Sequence, residues 1–370
     1  MGIIPMTAAF YGFRGGKGGI GHVMLNIMNG LAQRGVGVEI LLNDTRIPEL
    51  ARLHPEIRRV SLGPAKGFRR IAALADYLKS RSPAVLMTCR EPANRYAIIA
   101  RRISGSRTRI VVRVGMTISM ALGRRPPIKR WLRKRAINFC YRRNDAIIAN
   151  ALGVAEDISA VTGIPLRRIH RINNPTATAD IVQEGRRHTD HPWLEADAPP
   201  VIIGVGRLAR QKDFATLIRA FATVRKKRRC RLVILGEGKE RTALRALAAK
   251  TGFGEDIDLA GFAENPFSHM RRARLFVLSS AWEGSPNVLI QALALGVPVV
   301  STDCHSGPSE ILQGGKVAPL VPVGDVRAMA CAMAKTLAAP PEASGLQKAA
   351  AAYGLAANID RYMTAMGLTQ

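Results

Sequence analysis

Short apolar runs alternate along this chain with stretches whose apolar residues return every three or four positions. In the first half, TAAFYGF, VGVEILLN, AVLMTC, RIVVRVG and DAIIANA read as buried strands. Between the first two, residues 23–33 carry Met24, Ile27, Met28 and Leu31 at helical spacing. Residues 173–200 are rich in Pro, Asp, Thr and His, lack any period, and read as a linker. The rhythm then restarts with VIIGVGRL, a helix over 213–224 with Phe214, Leu217, Ile218 and Phe221 on one face, and RLVILG. A helix from about Lys239, the strand IDLAGF, the short helix FSHMRRA, the strand RLFVLSS, a helix over 285–295 and the strand VPVVST follow.

Strands that alternate with helices build parallel sheets covered on both faces, because each parallel connection needs a crossover. The pattern predicts two doubly wound α/β domains, 1–178 and 197–349. The last 25 or so residues read as helical, so that 350–370 packs back on the first domain. Two such sheets set a crevice between their carboxyl edges, where ligands bind in folds of this kind.

Composition narrows the class. A chain of 370 residues is too long for one ordinary core, and 47% hydrophobic content suits a folded protein. No apolar run reaches the roughly 18 residues of a membrane span. The start, MGIIPMTAAFYGF, lacks a leader's basic region and reads as mature sequence. Cys89, Cys140, Cys230, Cys304 and Cys331 are scattered and form no C-x-x-C pair, so a disulfide framework and a zinc site are both disfavoured. A cytoplasmic setting is expected.

The net charge of +28 is uneven: residues 1–190 hold 33 Lys and Arg against 12 Asp and Glu. A nucleic acid, an anionic membrane surface, a phosphorylated substrate and a merely solvated basic surface all fit such a half. Aromatics at 5% and the lack of stacking residues among the basic runs count against nucleic acid.

Three stretches carry candidate chemistry. In AWEGSPNVLIQALALGVPVVSTD, Ser285 is a good N-cap and Pro286 a good first helical residue. The amides of Asn287, Val288 and Leu289 would then face an anion, with Gly284 and Ser285 in the turn. Glu283, just before the helix, suits sugar hydroxyls rather than phosphate, and Gln291 lies two turns in, near a ribose. An ordinary capped helix with a solvent-facing acid is the plainer alternative. In GVGRLARQKD, Arg207 and Lys212 converge around Gly206 from a strand end and a helix approach, which suits a pyrophosphate or a solvated surface. In RGGKGGIGHVM, Gly18 and Gly19 lie in a loop that either approaches a phosphate or only makes a turn. There is no G-x-S-x-G, no H-E-x-x-H and no clustered metal-ligand set. His22 and His305 read as bystanders.

Taken together, these stretches resemble the retaining, nucleotide-sugar-dependent glycosyltransferases of family four, which have the GT-B fold. The resemblance is strongest over residues 201–325, through GRLARQKD, LVILGEGKER, LAGFAENP, EGSPNVLIQALALGVPVVSTDCHSGPSEIL and LVPVGD. It is weaker over GGKGGIGHVMLNIMNGLAQRG and YRRNDAIIANALGVAEDI. It implies that Arg207 and Lys212 hold the donor diphosphate and that Glu283 binds sugar hydroxyls. It further implies that Gly261 and Phe262 line the base, most commonly uridine, and that no metal or other cofactor is required. The family's acid pair, E-x7-E, is here Glu283 and Gln291, so charge assistance at the ribose is lost and weaker donor binding is expected. Gly21 and His22 stand where the family often has an acid and an Arg. The acceptor implied is a saccharide or lipid-linked saccharide in cell-surface polysaccharide assembly.

The segment GRRPPIKRWLRKRAINFCYRR, with Trp131, Leu132, Ile137 and Phe139 among its bases, fits a peripheral amphipathic element on anionic lipid or a solvated basic helix. A nucleotide-sugar epimerase, a catalytically weakened relative that binds polyanions, and an RNA-binding protein are the competing readings.

Overall fold

The computed structural model describes residues 6–15, 19–64, 66–123, 126–195 and 197–369. The chain divides into two compact units, Met1–Thr176 with Leu355–Gln370, and Ala177–Gly354. The first holds seven strands: β1 Thr7–Tyr11, β2 Gly37–Leu42, β3 Arg58–Ser61, β4 Val85–Thr88, β5 Arg109–Val114, β6 Ala146–Ala149 and β7 Ile169–Arg171. They pair in the order β3-β2-β1-β4-β5-β6-β7, all parallel. Ala9, Tyr11 and Leu86 face the helices Phe68–Arg81 and Glu91–Ser104, while Ala8, Phe10 and Met87 face Gly19–Ala32 and Leu355–Met366. Burial on both faces is why these strands read as unbroken apolar runs.

The second unit holds β8 Val201–Val205, β9 Arg231–Leu235, β10 Ile257–Gly261, β11 Leu275–Leu278, β12 Val299–Thr302 and β13 Leu320–Val321. Their order is β10-β9-β8-β11-β12-β13, again parallel throughout. The connectivity reverses between β8 and β11, so the loops after these two strands diverge and leave a crevice at their carboxyl ends.

Three strands were not visible as apolar runs. Each is a short sheet edge: β3 (RRVS) is exposed at three of four residues, β7 buries only Ile169, and β13 has two residues. An edge strand needs one neighbour's backbone and little apolar surface, so polar residues are tolerated there. The stretch read as a linker contains the helix Ala179–Arg186, which packs on the second unit. Gly185 meets Leu295 so closely that a Cβ would lie 2.6 Å from its Cδ2, and Asn265 donates to the Glu184 carbonyl at 2.8 Å.

The helix Leu355–Met366 returns to the first unit, burying Ile359, Tyr362 and Met366 against Gly19–Ala32. Its close approach requires Gly30, where a Cβ would come within 2.6 Å of Ile359 Cγ1. The Tyr362 hydroxyl accepts from Arg113 Nε at 3.2 Å, tying the helix to β5. Tyr362→Ala should therefore cost about 3–5 kcal/mol. Phe68→Ala, whose ring is exposed, should cost under about 0.5 kcal/mol. Urea unfolding of the two variants checks the contrast.

Candidate active site

At the carboxyl edge of the second sheet three loops pack backbone against backbone. The Gly206 amide donates to Leu235 at 2.9 Å, the Leu208 amide to Glu237 at 2.9 Å, and the Glu240 amide to Leu208 at 3.1 Å. Side chains are excluded here: a Cβ on Gly236 would lie 1.9 Å from the Gly206 carbonyl, and one on Gly238 2.1 Å from that of Leu208. The Gly236 amide reaches the Gly261 carbonyl at 2.6 Å, and Gly261 itself has φ +83°. Glycines thus close the ends of β8, β9 and β10, which permits close approach to backbone.

Across the switch point, Lys212 Nζ donates to Glu283 Oε1 at 2.6 Å. Both are largely sequestered, with side chains 16% and 7% exposed. The same oxygen accepts from Ser280 Oγ at 2.7 Å, and Oε2 faces Gln211 Nε2 at 3.4 Å. The pair is positioned by backbone stitching between the loops after β8 and β11. The Ala281 amide donates to Gln211 at 2.8 Å, Ser279 Oγ to the Lys212 carbonyl at 2.7 Å, and Gln211 Nε2 to Trp282 at 3.1 Å. From β12, Thr302 Oγ1 fastens Ser280 through its carbonyl at 2.6 Å. Asp213 ends the approach with φ +42° and caps Phe214–Arg225, accepting from Thr216. Arg207 is exposed and makes no hydrogen bond or ion pair among the described residues. One cation is therefore pinned by an acid and the other is open to solvent.

The helix after Glu283 starts later than expected. It runs Asn287–Ala294 with Pro286 in the cap position, so Ser285 lies before the cap and makes no capping bond. The reason is the Pro286 carbonyl, which accepts the Leu289 amide at 3.0 Å and so closes the first turn. Leu289 is fully buried with its amide used, and the cradle of three amides loses that member. The turn is braced from behind by Ser306 Oγ, 2.9 Å from the Gly284 carbonyl, and by Gly307, where a Cβ would meet that carbonyl at 2.5 Å. Asn287, Val288 and Gln291 are half-buried on this helix, Gly284 is buried, and Phe262 stands exposed after β10.

Gly18 lies outside the described residues, and Gly19 is the exposed first residue of its helix. His22, on that helix, has Nδ1 2.9 Å from an Arg52 guanidinium nitrogen, and burial followed by that charge holds its pKa below the usual value. A cavity of about 710 Å³ lies along edge strand β10, lined by His191, Trp193, Asp258 and Phe262 among others. It contains none of Arg207, Lys212 and Glu283, and no cation suited to a diphosphate. Among the described residues no group of His, Cys, Asp and Glu is placed to hold a metal. Gln211, Ser279, Ser280 and Thr302 were not singled out from sequence. Only the position of Gln211 beside Lys212 and the Ser-x-x-Glu spacing of Ser280 could have signalled them.

A buried ion pair is costly to break from one side, because the remaining charge stays desolvated. Lys212→Met should destabilise by about 3–5 kcal/mol, and adding Glu283→Gln should recover at least half of that loss in urea unfolding. Additive losses would contradict the pairing. The Cys304 thiol is pushed up to about 12, first by burial and then by the Glu283 carboxylate, with Lys212 acting the other way. A raised thiol pKa means the reactive thiolate is absent at pH 8 and grows only in strong alkali. Ellman's reagent at pH 8 should modify exposed Cys331 and leave Cys304 untouched, as peptide mapping would show.

Known proteins are similar to this chain in sequence and fold. Residues 199–339 match the model for glycosyl transferases group 1, and 18–175 match the glycosyl transferase 4-like domain. MJ1059 of Methanocaldococcus jannaschii, a glycosyltransferase, is 44% identical over 113 residues, which is 30% of this chain and 28% of that protein's length. A Campylobacter jejuni enzyme named N-acetylgalactosamine-N,N'-diacetylbacillosaminyl-diphospho-undecaprenol 4-alpha-N-acetylgalactosaminyltransferase is 30% identical over 320 residues, 85% of each chain. The apo lipopolysaccharide outer core galactosyltransferase WaaB superposes with TM-score 0.75 at 23% identity, covering 98% of this chain and 99% of that one. HepE of Anabaena in complex with UDP gives 0.78 at 16%, covering 98% and 100%. These likenesses at low identity carry the fold, two Rossmann-like units of the GT-B type, and the longer match carries the family. The chain belongs to the group 1 glycosyltransferases.

Proposed function

We propose that this enzyme moves a hexosyl or N-acetylhexosaminyl unit from a UDP-sugar to a saccharide or lipid-linked saccharide, with retention, in cytoplasmic assembly of cell-surface polysaccharide. The observation that carries the reading is the Lys212–Glu283 contact at the β8/β11 switch point, with exposed Arg207 on the same loop. The named activity of the Campylobacter jejuni relative supports a lipid-linked diphosphate acceptor, and the HepE complex supports uridine in the donor.

In this reading the donor diphosphate draws on Arg207, as a fork, and on Lys212, as a point charge. Glu283 retains lone pairs on Oε2 for hydroxyls of the donor sugar, with Ser280 still fixing Oε1. The glycine loops at Gly206 and Gly261, with exposed Phe262 beyond them, form the nucleoside side. Gly284, Ser285, Asn287 and Val288 form the sugar and phosphate side, and Gln291 meets the ribose. The acceptor hydroxyl attacks the anomeric carbon from the face the nucleotide leaves. The C–O bond to the diphosphate breaks ahead of the new bond, and the leaving oxygen takes up the acceptor's proton. No side chain needs to act as a nucleophile. The two cations neutralise the charge that builds on the leaving diphosphate, which a preorganised site can stabilise by several kcal/mol.

Arg207→Ala should lower kcat/KM at least about 100-fold against UDP-sugar, in transfer or donor hydrolysis, with thermal stability unchanged. Unchanged turnover would remove the assignment. Gln291→Glu restores a charged acceptor, and should lower the KM for the donor about tenfold, because a charge-assisted hydrogen bond gains roughly 1–2 kcal/mol over a neutral one. Steady-state kinetics on both variants measures it.

A further inference from the structure

The helix Pro127–Tyr141 of the first unit buries Ile137, Cys140 and Tyr141 on one face. Ile137 thus leaves the set of apolar residues expected at the surface, because it points into the core. At about 100° per residue, Ile128, Trp131, Leu132, Arg135 and Phe139 fall within one sector of about 100° on the opposite side. The four apolar members of that sector are 65%, 52%, 56% and 46% exposed in chain order. A surface helix ordinarily turns its polar residues outward, so an apolar stripe opposite the core face has no role in the fold.

The surroundings of the stripe select its partner. Lys129, Arg130, Lys134 and Arg135 are all exposed, and the helix contains no acidic residue. Arg135 stacks over Trp131 at 4.9 Å, and Arg143, just past the helix, over Phe139 at 3.7 Å. Each guanidinium therefore sits over an apolar ring, as it does where a side chain snorkels from buried hydrocarbon to a charged surface. Among the described residues no helix is long and apolar enough to cross a membrane.

We infer that the helix Pro127–Tyr141 docks on an anionic lipid surface. Ile128, Trp131, Leu132 and Phe139 enter the acyl boundary, and Lys129, Lys134, Arg135 and Arg143 pair with lipid phosphates. A protein partner would be expected to meet acids as well as bases on this face. A single-stranded nucleic acid would need stacking rings free of the guanidiniums that cover Trp131 and Phe139. The two contributions are distinguishable, because salt screens the charges and leaves apolar insertion. The inference rests on the lipid-linked acceptor of the proposed function only for its purpose; the docking itself needs no substrate.

The test is sedimentation of the full chain with phosphatidylcholine vesicles, with and without about 30% phosphatidylglycerol, at about 0.1 M salt. Binding to the anionic vesicles alone is expected, weakening as salt is raised. Ile128→Ser with Leu132→Ser, and separately Lys129→Glu with Lys134→Glu, should each weaken it at least about tenfold. All these side chains are exposed, so melting temperature and UDP affinity should stay those of the wild type. Failure of UDP binding in the wild type would sink the donor reading and leave vesicle binding standing. No binding to anionic vesicles, equal binding by either double variant, or displacement of vesicles by single-stranded RNA at equal charge would overturn the inference.

Discussion

The loop cluster at the second unit's switch point is organised around one contact, the buried ion pair of Lys212 with Glu283. Taking both charges out of water is expensive, and hydrophobic residues of similar size would often hold the same space as well or better. The chain nevertheless arranges Gln211, Ser279, Ser280 and Thr302 so that the two loops are fastened around that pair. A costly polar cluster at a topological switch point is what a charged ligand needs, since a low-dielectric surround strengthens each interaction it makes. Under the proposed function, that cost is the cost of a site kept in geometry before its donor arrives.

Much of this was legible in the chain. Central strands buried on both faces announce themselves as apolar runs, and the helices between them by their period, so the two doubly wound sheets follow from pattern. What escaped was of two kinds. Edge strands such as β3 and β7 are fixed by backbone pairing to a neighbour, which leaves no apolar signature. The helix start at Asn287 was displaced by a tertiary effect: the loop around Ser306 and Gly307 clamps Gly284, and Pro286 then closes the turn through its carbonyl. Arg207, Lys212 and Glu283 were readable as chemistry, whereas the Lys212–Glu283 pairing was not. A sequence shows that a cation and an acid are present, not that two side chains 71 positions apart come to 2.6 Å.

The two units differ in electrostatic character as well as in place in the chain. Most of the excess positive charge lies in the first, together with an apolar stripe on Pro127–Tyr141 that the core does not use. The second is nearer balance. Within it, Gln291 is a neutral amide where the acid pair of the resembled family has its second acid, and the proposed donor site places it at the ribose. Family membership follows from the matches across both units; the proposed donor and acceptor draw also on what HepE and the Campylobacter jejuni relative are named for, and the surface inference rests on the residues themselves.

Calorimetric titration of the protein with UDP in the presence of EDTA tests the central claim most directly. The account predicts one saturable site per chain, with UDP bound far more tightly than uridine because the diphosphate supplies the contacts with Arg207 and Lys212. No heat from UDP at millimolar concentration, or equal affinity for UDP and uridine, would contradict it.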